Sequence, residues 1–72
     1  MSDYTIIQNA EDRGLIVKID NQCYILYRDS SVGIIDPDTL IQTVPLKLNL
    51  NNFELAIDLA CIYYKWIRGE PL

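Results

Sequence analysis

The chain has 72 residues, half of them hydrophobic, none of them histidine, and a formal net charge of −4. That length allows one small domain, the apolar content excludes a disordered chain, and no apolar run reaches the roughly 20 residues of a membrane helix. The opening MSDYTIIQNAED lacks the positive start and small-residue cleavage site of a secretory leader, so a cytoplasmic protein with no membrane partner is expected.

Residues 4–9, YTIIQN, read as a first strand, closed by the polar turn Ala10-Glu11-Asp12-Arg13-Gly14. Strands at about 15–19 (LIVKI) and 23–28 (CYILYR) follow, joined through Asp20-Asn21-Gln22. Asx residues tolerate the left-handed angles of a tight hairpin loop. The loop is either Asp20-Asn21 or Asn21-Gln22. Both registers place Leu15, Val17, Ile19, Tyr24 and Leu26 on one face, the expected core. The reverse face, with Ile16, Lys18, Cys23, Ile25 and Tyr27, is also rich in apolar groups, so the sheet is expected to have apolar surface left over.

A loop at Asp29-Ser30-Ser31 leads to a short strand at 32–35, VGII, and then to Asp36-Pro37-Asp38-Thr39. Proline at the second position suits a type I turn. A last strand is expected over about 40–48, with Pro45 forcing an edge or a bend. The fold class predicted is therefore α+β: a small antiparallel meander of four to five strands followed by one C-terminal helix packed on one face.

That helix, about 52–68, is marked at both ends. Asn51 and Glu54 have the spacing of a capping box, and Leu50 and Leu55 that of a hydrophobic staple. Lys65 and Arg68 meet the negative pole, Gly69 supplies a left-handed exit, and Pro71 prevents continuation. Helical winding puts Glu54, Asp58, Cys61, Lys65 and Arg68 on one stripe about 80° wide. Ala56, Leu59, Ala60, Tyr63 and Ile67 lie opposite and are expected to face the sheet. Two apolar flanks remain: Leu55, Ile62 and Trp66 on one side, Phe53, Ile57 and Tyr64 on the other. One small sheet covers little more than 100° of a helix, so one flank is expected to be exposed in the monomer. Leu55, Ile62 and Trp66 are the expected seam of a homodimer, because tryptophan and tyrosine are enriched at such contacts.

Catalytic chemistry has little to stand on. Histidine, the commonest general base, is missing. Ser2, Ser30 and Ser31 sit in no nucleophile pattern, and Gly33 alone makes no phosphate loop. Cys23 and Cys61, without a CxxC pair or histidines, make no zinc or redox site. Asp36 and Asp38 flank a turn proline and are expected to bond their own backbone. The reading is a non-enzyme with no catalytic residue, metal or cofactor.

The acids lie mostly in the first forty residues, where seven oppose three bases. Without clustered lysine and arginine, direct nucleic-acid binding is not expected. Asp12, Asp20, Asp29, Asp36 and Asp38 all fall at strand ends and form a candidate acidic rim for a partner. The first functional reading is a small acidic protein–protein interaction module, a homodimer assembled through its C-terminal helix, with a further protein partner. The alternative is an acidic mimic of nucleic acid, of the phage or plasmid type, inhibiting a nucleic-acid-binding protein. A third is a small-ligand module built on Tyr24, Tyr27, Tyr63, Tyr64 and Trp66.

Overall fold

A computed structural model describes residues 3–72; Met1 and Ser2, which open the segment read against a leader, lie outside the described residues. Five strands, β1 (Tyr4–Ala10), β2 (Gly14–Ile19), β3 (Gln22–Leu26), β4 (Val32–Ile35) and β5 (Gln42–Pro45), pair antiparallel in sequential order. A 3-10 turn at Leu50–Asn52 then opens the single helix α1 (Phe53–Ile67). The protein is an α+β domain of the expected kind.

The β2–β3 hairpin closes through Asp20-Asn21, both at positive φ (50° and 67°), with Ile19 opposite Gln22. Two consecutive left-handed residues match the right-handed twist of the flanking strands. This loop choice pairs Val17 with Tyr24 and Leu15 with Leu26. The expected core face is the observed one: Leu15, Val17, Ile19, Tyr24 and Leu26 cluster with Leu59, Ile62 and Trp66 of the helix.

The later strands are shorter than their apolar runs. Tyr27 leaves β3 because its N–H bonds to Ser31 C=O and its C=O accepts from Ser30 N–H, closing a tight turn. Residues 36–41 form a closed loop in place of the start of a strand. Asp36 C=O accepts from Leu40 N–H (2.8 Å), and Leu40 takes φ 58°. Pro45 ends β5, since it has no N–H to continue the ladder; one further bond, Leu46 N–H to Val32 C=O (2.9 Å), hands the chain on.

The reverse face of the sheet is better covered than its sequence suggests. Ile16, Cys23, Ile25 and Ile35 form a second buried cluster, with Tyr27 packed against it. Tyr27 Oη donates to Gln42 Oε1 at 2.7 Å. Gln42 lies over Gly33, where an added Cβ would sit 2.5 Å from Nε2. Absence of a side chain at Gly33 lets a polar pair fold across the apolar one.

Candidate protein interface

The helical segment is capped two residues before the predicted cap, through the 3-10 turn Leu50–Asn52 that leads into α1. Asn49 Oδ1 accepts from Asn51 N–H (2.9 Å) and Asn52 Oδ1 accepts from Asn49 N–H (2.6 Å), so the reciprocal box is Asn49–Asn52. Asn51 and Glu54 do not form it, and Leu50, 90% exposed, makes no staple. The exit is as expected: Gly69 at φ 73° returns Glu70 N–H to Lys65 C=O (2.8 Å) and Gly69 N–H to Trp66 C=O (3.1 Å).

The side of the helix that meets the sheet differs from the expectation. Leu59, Ile62 (0% exposed) and Trp66 (5%) are buried, with Leu55 packed beside them. Leu55, Ile62 and Trp66, the expected dimer seam, belong to the chain's own core. Trp66 is fixed on three sides: Nε1 donates to Asn9 Oδ1 (2.9 Å), the Arg28 guanidinium lies 4.3 Å from the ring centroid, and Tyr63 packs edge-on at 6.4 Å. The physical reason is size. Turning Leu55, Ile62 and Trp66 inward in place of Ala56 and Ala60 buries several more methylene equivalents, on the order of 5 kcal/mol. That outweighs keeping the polar stripe centred on solvent, and Asp58 is carried inward with it (6% exposed).

The opposite flank is therefore left uncovered. Phe53 (59% exposed), Ile57 (47%) and Tyr64 (62%) face solvent with Ala60 and Ile67. Their spacing along α1 is four, three, four, three, which keeps a seam on one line when two helices pack side by side. Glu54, Cys61 and Arg68 run along one margin of this row, all exposed. Along the other, Ala56 and Ala60 leave an apolar hollow of about 210 Å³, walled by Leu48, Tyr63 and Tyr64.

The acidic rim does not form as one surface. Consecutive antiparallel strands put the turns holding Asp12 and Asp29 at one end of the sheet, and those holding Asp20, Asp36 and Asp38 at the other. Two of these carboxylates serve local turns. Asp29 Oδ1 accepts from Ser31 N–H (3.0 Å) and Ser31 Oγ (2.6 Å), and the Ser31 hydroxyl is the main reason the Asp29 carboxyl is held below its ordinary value. Asp36 Oδ1 accepts from Asp38 N–H (2.8 Å) and Thr39 N–H (3.3 Å). Of the five aromatic residues only Tyr27 stands apart, on the far side of the sheet; Tyr63 packs edge-on against both Trp66 and Tyr64 and onto the core that holds Tyr24.

Among the described residues, no group of three or more His, Cys, Asp or Glu side chains is placed to hold a metal ion, and no helix is long and apolar enough to cross a membrane. Comparison with protein-family models, curated proteins and solved structures finds no match to this chain.

Proposed function

We propose that this protein is a non-enzymatic interaction module that pairs with a second copy through the exposed row Phe53, Ile57, Ala60, Tyr64 and Ile67. That row, an apolar stripe with coiled-coil spacing on an otherwise well-packed helix, carries the reading. Such patches mark contacts with other molecules. Charge along the margin selects the direction. In an antiparallel pair related by a two-fold axis, each margin meets itself end to end. Glu54 then faces Arg68 of the second copy, and the two Cys61 side chains meet near the axis. A parallel pair has no such complement. Arg68 is available, since its contact with Glu70 (3.7 Å) is exposed and weak.

The sheet edges do not offer an equal route. β1 is interrupted by a bulge at Ile7, and β5 ends in Pro45; both devices discourage strand addition. Burying the four large side chains of the row removes roughly 400 Å² of apolar surface per copy, on the order of 10 kcal/mol before association costs. Two unpaired thiols suit a reducing cytoplasm.

Sedimentation equilibrium tests the reading. The chain is expected to reach twice its monomer mass at micromolar to about 100 μM concentration, and Ile57→Glu or Tyr64→Glu to give folded monomers. A wild-type chain that stays monomeric throughout overturns it. Trp66→Glu is expected to unfold the domain rather than dissociate it, because an unpaired charge in the core has no compensation.

A further inference from the structure

We infer that the cleft between the start of α1 and the Asp20 turn receives a basic side chain, lysine or arginine, presented by a protein partner. The cleft, about 550 Å³, is lined by Asp20, Glu54 and Asp58 together with Leu50, Phe53 and Leu55. No lysine or arginine lines it. Asp58 is 6% exposed and has no hydrogen-bond or ion-pair partner among the described residues. No fully buried side-chain oxygen or nitrogen among those residues lacks a partner, so the Asp58 carboxylate keeps its contact with water, and the cleft it lines is its opening. A carboxylate that has lost part of its hydration and has no counter-charge gains from a cation brought within reach. The chain supplies every element of that pair except the cation.

The lining selects the class of cation. The three carboxylates form no group placed to hold a metal ion, and the cleft they line is roomy enough for a guanidinium or ammonium group. Leu50 and Phe53 stand exposed at the rim. They suit the methylene stem of a long basic side chain, and the Phe53 ring suits a cation near its face. A free inorganic ion uses neither feature. Phe53 and Glu54 also belong to the row and margin proposed to meet a second copy, whereas Asp20 and Asp58 line the cleft alone, so the titration is read at a concentration where the chain is monomeric.

The test is a titration of the intact, isotope-labelled chain with N-acetyl-argininamide, followed by the amide resonances, with N-acetyl-citrullinamide as the neutral isostere. Saturable shifts at Asp20, Glu54 and Asp58 are expected with the arginine compound alone, weakening as salt is raised. Asp58→Asn is expected to weaken binding about tenfold or more. Glu54→Gln, at the exposed rim, provides the same comparison if Asp58→Asn does not fold, with a several-fold loss expected. Equal shifts with citrulline, shifts shared with Asp12, Asp29, Asp36 and Asp38, or unchanged affinity in the folded variant overturn the inference.

Discussion

Single residues in this domain carry more than one task, and Tyr24 is the clearest case. Its ring lies in the core, and burial pushes its hydroxyl above the ordinary tyrosine value of 10.0, with the Asp20 carboxylate adding to the effect. The folded state therefore disfavours the phenolate more than the unfolded chain does. The resulting stability is fully present below pH 10.0 and declines as the pH rises through the higher folded value. Alkaline unfolding followed by circular dichroism is expected to show this decline in the wild type and to lose that component in Tyr24→Phe. Trp66 is the opposite lesson. Its type suggested a contact between copies, but its ring spans a gap no alanine fills, and Asn9 is placed to take its only donor. The sequence offers one signal for that pairing, an asparagine in an apolar strand, and the signal is too weak to use alone.

Elements were legible to the extent that local chemistry alone decided them. The core face of β2 and β3 followed from alternation, since both loop choices gave the same residues. The left-handed exit at Gly69 followed from glycine before Pro71. The rotation of α1 was not legible, because it depends on how the segment from Leu46 to Asn52 delivers the helix and on which large side chains the sheet can accept. The cap moved for a related reason: Asn49, Asn51 and Asn52 can all cap, and the 3-10 turn selects Asn49 with Asn52. Asn49→Ala is accordingly expected to lower stability by about 1 kcal/mol, whereas Asn51→Ala, which removes no capping side chain, is expected to be close to neutral. Urea denaturation with both variants checks the assignment. A larger loss at Asn51 would restore the cap read from the sequence.

At the scale of the whole molecule, the short chain leaves apolar side chains uncovered on the outer row of the helix and also at Leu40, Ile41, Val44, Leu48 and Leu50 ahead of it; the helix row is the one with a regular seam spacing. The acids divide between the ends of the sheet instead of forming one rim, and that weakens the resemblance to a phosphate backbone. Assembly has a built-in reporter. Cys61 is exposed on the margin of the row, and Cys23 is buried. Mild oxidation is expected to link two chains through Cys61, and Ile57→Glu to abolish the link at the same protein concentration. Cross-linking that persists in that variant would mean chance collision rather than a seam.

The tail beyond α1 has a practical use of its own. Tyr4 Oη donates to Leu72 C=O at 3.0 Å, and Leu72 packs onto the same core as Ile6. The start of β1 and the end of the tail thus lie side by side. A few flexible residues would splice them into a ring, and reopening that ring within 36–41 would yield a permuted chain with the same native contacts.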